Sequence, residues 1–155
     1  MKIFLGTDHA GFKMKEKVKR MLKSLGYEVH DEGAFEFNEN DDYPDYIKIV
    51  AAQVSSNQDN SRGIIFGGSG QGEAMTANRF PHVRATVYYG GTDEIIRLSR
   101  FHNNANILSI GARFVDEEKA EEIIKFWLMA PYGSEERHQR RILKIDNNFY
   151  YQNEF

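Results

Sequence analysis

The strongest constraint on the fold is an alternation of two kinds of segment along the 155-residue chain. Short apolar runs alternate with longer segments in which apolar residues recur every three or four positions. This pattern is typical of strand–helix–strand units around a parallel sheet. It predicts strands at residues 2–7, 27–33, 62–67, 84–89 and 106–111. It predicts helices at residues 12–25, 43–55 and 117–129, after the glycines that follow residue 67, before His102, and from about 134 to 147. The sequence therefore predicts one doubly wound α/β domain over residues 1–155, with a C-terminal helix and tail at about 134–155.

Composition excludes several classes of protein. Hydrophobic residues make up 41% of the chain and charged residues 28%, as in an ordinary globular domain. The net charge of −3 favours neither nucleic acid nor a membrane surface as a partner. No apolar run is long enough to span a bilayer, and the first residues are too polar for a signal peptide. Without cysteine, no thiol nucleophile or disulfide is available. We expect a cytoplasmic protein.

Two helices carry apolar stripes. The stripe of the first helix consists of Val18, Met21, Leu22 and Leu25, and its many lysines are expected to form a solvated face. The stripe of the helix at 117–129 consists of Ile123, Ile124, Trp127 and Leu128. The sequence does not decide whether this second stripe packs in the core or between subunits.

Polar and glycine-rich segments follow three of the predicted strands. Asp8 and His9 follow the first strand, Gly67–Glu73 ends the third, and Arg113 follows the fifth. In doubly wound folds, ligands bind outside the carboxyl ends of the strands. We therefore expect a site where these segments meet.

The glycine-rich segment "GGSGQGE" matches no common phosphate or nucleophile motif. It lacks the GxxxxGK(S/T) of a P-loop and the third glycine of a dinucleotide fingerprint, and Gln71 stands where a hydrolase elbow needs glycine. Its backbone N–H groups are suited to bind an anion or an oxyanion at a helix N-terminus, with Glu73 placed as a base. A tight strand-to-helix turn with a capping acid is equally consistent with the segment.

Two further clusters are ambiguous by themselves. Asp8 and His9 are consistent with an acid–base pair, a phosphate or metal ligand, or a helix-capping acid beside a surface histidine. Arg137 and Arg141 are spaced so that a helix presents both on one side. That pair is consistent with a solvated basic face or with a phosphate ligand.

Five segments together resemble the type B ribose-5-phosphate isomerases and the related galactose-6-phosphate and allose-6-phosphate isomerases. They are "GTDHAGFKMKEKVKRMLKSLGYEVHDEG", "DYPDY", "GGSGQGEAMTANR", "HNNANILSIGAR" and "RHQRRI", and they span Lys2 to about Ile145 in the family's order. The resemblance implies a three-layer α/β/α Rossmann-like fold with a five-stranded, mainly parallel sheet. It also implies isomerisation of a phosphosugar without metal or organic cofactor. The active sites are expected between the subunits of a homodimer, and pairing of dimers into tetramers is left open.

One departure from the family bears on the catalytic base. Many members carry a cysteine base immediately after the third strand, where this chain has Gly67. The chain instead looks like the branch in which the position of Glu73 supplies a carboxylate base.

The resemblance assigns a role to each candidate residue. His102 is expected to open the sugar ring, assisted by Asp8 or Asn103, and Glu73 to move the proton between carbons. Donors to the enediolate oxygen are expected from the loop and its neighbour: Gly68, Ser69, Gly70, Gln71, Gly72 and Asn103. The expected phosphate ligands are His9, Arg113, Arg137 and Arg141. Tyr43 is expected to line the sugar site, unless it is a core or helix-start aromatic. His138 receives no catalytic role.

Three functions follow from these residues. The first is ribose-5-phosphate isomerase, and the second is an isomerase of a six-carbon phosphosugar. The third is a phosphosugar-binding module without turnover, although a pure binder has no need of the carboxylate base Glu73.

Overall fold

The computed structural model describes residues 1–147, which form a sheet covered by helices. The strands are β1 (Lys2–Thr7), β2 (Glu28–Asp31), β3 (Ser61–Gly67), β4 (Ala85–Tyr88) and β5 (Ile107–Gly111). The helices are α1 (Phe12–Ser24), α2 (Tyr43–Ser56), α3 (Gln71–Ala77), α4 (Glu94–Asn103), α5 (Glu117–Met129) and α6 (Glu136–Asn147). Where the sequence analysis gave numbered bounds for a strand or helix, the observed bounds agree with them to within two residues.

The sheet has the strand order β2-β1-β3-β5-β4, and every neighbouring pair is parallel. The sequence predicted a mainly parallel sheet, and the described strands are parallel throughout. Ile64, Ile65 and Phe66 are consecutive in the central strand β3 and fully buried. A continuous apolar strand of this kind is expected where helices cover both faces of a sheet.

Helices cover the sheet in two layers, which gives the expected α/β/α arrangement. Helices α1, α4 and α5 pack on one face, and helices α2 and α3 pack on the other. Ile123, Ile124 and Trp127 of α5 are fully buried in the first layer, and Leu128 packs against it. The apolar stripe of α5 therefore belongs to the core.

Two expectations for α1 are wrong. Leu25 is 53% exposed, because α1 ends at Ser24 and Gly26 turns the chain away with φ +83°. Lys15 lies within the expected solvated face but is fully buried. Its Nζ donates to Asp31 Oδ1 over 2.6 Å and to the Ala34 carbonyl over 2.7 Å. These bonds join α1 to the end of β2.

Helix α6 packs on α4 and reaches the residue before β4. Asp146 near its end pairs with Arg84, one residue before β4, with Nη1 and Oδ2 3.2 Å apart. His138 in its first turn stacks on His102 of α4. The aromatic tail from residue 148 onward lies outside the described residues. Among residues 1–147, none of the helices combines the length and hydropathy needed to cross a bilayer.

Candidate active site

The predicted site residues that follow strands meet at the carboxyl edge of the sheet. Asp8 and His9 come directly after β1, the glycine loop joins β3 to α3, and Arg113 follows β5. In the strand order β2-β1-β3-β5-β4, β1 and β3 are neighbours. The chain continues from β1 to β2 on one side of this pair and from β3 to β4 on the other side. Ligand sites of doubly wound folds lie at such a switch point. These segments therefore meet at one edge of the sheet, as expected, and their role as a ligand site stays a prediction.

The glycine loop allows three side chains to approach its backbone. A Cβ on Gly72 would lie 2.6 Å from the Tyr43 hydroxyl, and one on Gly68 would lie 3.4 Å from the Arg113 guanidinium. Gly70 has φ +77°, and its carbonyl accepts a 2.7 Å hydrogen bond from Ser109. Within the described residues, the N–H groups of Gly68, Ser69 and Gly70 donate to no acceptor. The loop thus combines an open backbone with neighbouring polar side chains.

Glu73 is the buried acid of this site. Its residue is only 4% exposed, and it lies in the first turn of α3. A Cβ placed on Gly67 would overlap the Glu73 carboxylate, so that carboxylate occupies the space where a side chain of residue 67 would be. Burial raises the pKa of Glu73, a hydrogen bond from its own backbone N–H opposes this effect, and the charge of Asp8 raises the pKa further. Glu73 is therefore a stronger base than an exposed glutamate.

Asp8 has a capping role as well as its place in the site. It is 7% exposed, and its Oδ1 accepts a 2.9 Å hydrogen bond from the Ala10 N–H at the start of a short 3-10 turn. The capping alternative from the sequence is thus correct as local structure. Nearby, the exposed Ser69 accepts a hydrogen bond of 3.3 Å from the Gln71 N–H.

His9 has a partner that the sequence analysis missed. Asp41, in the loop before α2, accepts a 3.0 Å hydrogen bond from the His9 backbone N–H. The same carboxylate oxygen lies 2.7 Å from His9 Nδ1. The sequence shows an acid, Asp41, two residues before Tyr43, but its contact with His9 depends on the conformation of the loop before α2. Asp8, His9 and Asp41 each offer a potential metal-ligand atom within 4.8 Å of the others, in the described part of the chain.

A second group of predicted site residues lies at the opposite, amino edge of the sheet. His102 and Asn103 end α4, four residues before β5 begins, and Arg137 and Arg141 are exposed on α6. Strands of five to seven residues separate the two edges by roughly 15–20 Å. One chain therefore does not bring these four residues to Glu73.

His138 belongs to this amino-edge group, although the sequence predicts no catalytic role for it. Its ring stacks on His102 with centroids 4.5 Å apart and planes 24° apart. His138 is 3% exposed, and its Nε2 has no hydrogen-bond partner among residues 1–147. Burial lowers the pKa of His138, the electrostatic effects of His102, Arg137 and Arg141 lower it further, and the charge of Glu135 opposes them. The pKa of His138 is therefore lower than that of a free histidine.

Comparison with known proteins assigns this chain to a family. A family model described as Ribose/Galactose Isomerase matches residues 3–145. The chain belongs to the ribose/galactose isomerase family. Ribose-5-phosphate isomerase B of Escherichia coli is 38% identical over 144 residues, which cover 93% of each chain. Ribose-5-phosphate isomerase B of Mycolicibacterium paratuberculosis is 37% identical over 142 residues, or 92% of this chain and 87% of the relative.

Solved structures of this family share the whole fold. Ribose-5-phosphate isomerase B from Clostridium thermocellum superposes with a TM-score of 0.91 and 39% identity, covering 99% of this chain and 100% of that one. The enzyme from Mycoplasma genitalium, solved with bound ribulose-5-phosphate, gives a TM-score of 0.90 and 36% identity, covering 99% and 97%. The predicted family and the α/β Rossmann-like fold are therefore confirmed.

Proposed function

We propose that this chain interconverts ribose 5-phosphate and ribulose 5-phosphate, with Glu73 as the base that moves the proton. The observation that carries the proposal is the buried Glu73 carboxylate beside the open backbone of the glycine loop. The names of its relatives support the substrate, as does the ribulose-5-phosphate bound to the Mycoplasma genitalium enzyme.

Glu73 acts on the open-chain sugar. It takes the proton from carbon 2 of the aldose, and the electron pair of that bond forms the carbon–carbon double bond of the enediolate while the carbonyl oxygen on carbon 1 becomes negative. The proton of the carbon 2 hydroxyl passes to the negative oxygen on carbon 1, and the electron pair of that O–H bond forms the carbonyl of the ketone. The electron pair of the carbon–carbon double bond then takes the proton back from Glu73 at carbon 1, which leaves Glu73 ionised again. A raised pKa suits this role, because the base must both take and return the proton near neutral pH.

The glycine loop stabilises the developing oxyanion. Within residues 1–147, the N–H groups of Gly68, Ser69 and Gly70 have no acceptor and can donate to the substrate, and Ser69 is exposed beside them. One well-placed donor of this kind contributes ~3 kcal/mol to transition-state stabilisation. Gln71 and Gly72 begin α3 at the same place and contribute the remaining predicted contacts.

Gly67 supports the choice of Glu73 over a base on the third strand. The chain has no cysteine, and any side chain on residue 67 would overlap the Glu73 carboxylate. A base on residue 67 and Glu73 in its present position therefore exclude each other. This chain follows the glutamate branch of the family.

A second copy of the chain completes the site. His102, Asn103, Arg137 and Arg141 lie at the amino edge, whereas Glu73 and Asp8 lie at the carboxyl edge. A two-fold dimer that places the amino edge of one copy on the carboxyl edge of the other forms two identical sites. In each site, His102 of the second copy opens the ring with Asp8 or Asn103. Phosphate is bound by His9 and Arg113 of the first copy and by Arg137 and Arg141 of the second.

The alternatives are less well supported. The relatives described above are ribose-5-phosphate isomerases, which does not favour a six-carbon substrate. A binding module without turnover has no need of a buried carboxylate with a raised pKa. Tyr43 lies against Gly72 and is proposed to line the sugar site. The cytoplasmic location of the protein stays a prediction.

The test is ketose formation by chelator-treated wild type and by Glu73→Gln. Ribose 5-phosphate, allose 6-phosphate and galactose 6-phosphate are assayed in parallel. We expect ribulose 5-phosphate from the wild type alone. Turnover of a six-carbon sugar alone would show that the substrate is not ribose 5-phosphate. Activity retained by Glu73→Gln would show that Glu73 is not the base. Binding of a sugar phosphate without turnover of any of the three sugars would indicate a binding module.

A further inference from the structure

We propose that Asp41 is a positioning residue that holds His9 so that its Nε2 faces the phosphate of the substrate. This inference rests on the proposed function, in which His9 is a phosphate ligand. Asp41 comes from the loop between β2 and α2, so it links a third segment to the site formed by β1 and β3.

Two hydrogen bonds to one oxygen fix His9. Asp41 Oδ1 accepts from the His9 backbone N–H over 3.0 Å and lies 2.7 Å from Nδ1. The Asp41 side chain is 4% exposed, whereas that of His9 is 26% exposed. The buried carboxylate therefore lies behind the ring, and the ring reaches the surface of the site. Phe37 packs edge-on against the ring, with centroids 6.4 Å apart, and limits its rotation on that side.

This contact determines which ring nitrogen can meet the substrate. A carboxylate accepts hydrogen bonds and cannot donate them, so Nδ1 must carry a proton. Nε2 is then the nitrogen left for a ligand. To bind a phosphate dianion, Nε2 must also donate, which makes the ring positively charged in the complex. The Asp41 carboxylate next to Nδ1 stabilises that charge and keeps the ring in orientation, as carboxylates do for histidines that bind metals.

Asp41 also has a feature that packing alone does not explain. Its second oxygen, Oδ2, is buried and has no hydrogen-bond partner among the described residues, although Tyr46 lies near enough that burial and the Asp41 charge raise the pKa of its hydroxyl. Burying an unpaired carboxylate oxygen costs free energy, and an asparagine would place an uncharged group there. A functional need for the negative charge accounts for the carboxylate.

A divalent cation between Asp8, His9 and Asp41 is the rival explanation. Their potential ligand atoms lie within 4.8 Å of one another. However, the Nδ1–Oδ1 distance of 2.7 Å is that of a hydrogen bond, and Asp8 Oδ1 is bonded to the Ala10 N–H. A cation would have to replace both hydrogen bonds, so the geometry favours the carboxylate–imidazole pair.

The test compares Asp41→Asn with Asp42→Asn in the full-length protein. Asparagine at 41 keeps the size and an oxygen acceptor but removes the charge. We expect KM for ribose 5-phosphate to rise about tenfold while kcat changes less than about threefold, because a charge-assisted contact to the phosphate is weakened. The dissociation constant of inorganic phosphate should rise by a similar factor. Asp42 is exposed and makes no capping hydrogen bond, so Asp42→Asn should match the wild type.

A second measurement needs no variant and no turnover. The ¹⁵N NMR spectrum of wild-type His9 should report a protonated, hydrogen-bonded Nδ1. A spectrum with Nδ1 unprotonated would overturn the proposal even if Asp41→Asn failed to fold. An unchanged KM and phosphate affinity in Asp41→Asn would also overturn it, and so would Zn²⁺ or Mn²⁺ binding that Asp41→Asn abolishes. If the wild type turned over no ribose 5-phosphate, the proposed function would fail, while phosphate binding and the NMR spectrum would still decide the role of Asp41.

Discussion

Gly67→Ala should separate catalysis from stability. The added Cβ would overlap the Glu73 carboxylate, which has to move by more than ~1 Å to reach ordinary van der Waals contact. A misplacement of about 1 Å in a reacting group can cost on the order of 100-fold in rate. We therefore expect kcat to fall at least about 100-fold. Because the atoms displaced are the end of a flexible side chain, the free energy of unfolding should change by less than about 1 kcal/mol.

Gly63→Ala in the same strand is the matched control. There the added Cβ would lie 2.9 Å from Ile107 Cγ1 and 3.0 Å from Val50 Cγ1, and both side chains are fully buried. Such overpacking typically costs about 1–3 kcal/mol of stability. Gly63 lies away from Glu73, so kcat should stay within about threefold of wild type.

The two variants are compared by urea unfolding and by initial rates on ribose 5-phosphate. The expected result is a crossed pattern, in which Gly67→Ala loses activity and Gly63→Ala loses stability. In a Glu73→Gln background, Gly67→Ala should cost almost no further activity, because both changes act on one group. A Gly67→Ala enzyme with nearly wild-type kcat would refute the placement of the base.

Three further predictions follow from particular side chains. Because burial and the charge of Asp8 raise the pKa of Glu73 above 4.5, the folded state loses stability as pH rises through that raised pKa. Glu73→Gln should therefore have a higher Tm than wild type near pH 7 and an equal Tm near pH 4. Equal Tm values for the two proteins at both pH values would count against the raised pKa. Lys15→Met should lower the free energy of unfolding by about 2–4 kcal/mol, since Lys15 is fully buried and donates a hydrogen bond to Asp31. The control Lys23→Met changes an exposed lysine and should not lower it. Equal urea midpoints for the two variants would contradict this account. Arg141→Ala should raise KM at least about tenfold with little change in kcat. Lys144 is an exposed residue of the same helix, and Lys144→Ala should leave KM unchanged. An unchanged KM in Arg141→Ala would remove Arg141 from the proposed phosphate site.

The fold was predictable because its signals are local. The alternation of strand-like and helix-like segments placed each strand and helix, and α5 matched from Glu117 to Met129. Lys15 was missed because its partner Asp31 lies 16 residues away and only the packing of α1 on β2 joins them. Leu25 was missed because apolar periodicity continues one residue past the helix end that Gly26 imposes.

The positions of the candidate site residues could be predicted only in part. The strand-end rule grouped Asp8, the glycine loop and Arg113 correctly, since each follows a strand. His102 precedes a strand, and its place at the amino edge depends on the direction in which α4 runs. The contact of Glu73 with Gly67 and that of Asp41 with His9 depend on loop conformations that periodicity does not encode.

In the proposed dimer, each active site combines the carboxyl edge of one copy with the amino edge of the other. Glu73→Gln and His102→Asn should each be inactive, but refolding them together at equal concentration should recover about one quarter of wild-type activity. Half of the dimers would then be mixed, and one of the two sites in each mixed dimer would carry neither change. Glu73→Gln refolded with Asp8→Asn should recover no activity beyond that of the two variants refolded separately, because both changes lie on the same edge. A mixture of Glu73→Gln and His102→Asn that stays as inactive as its parts would contradict the shared site.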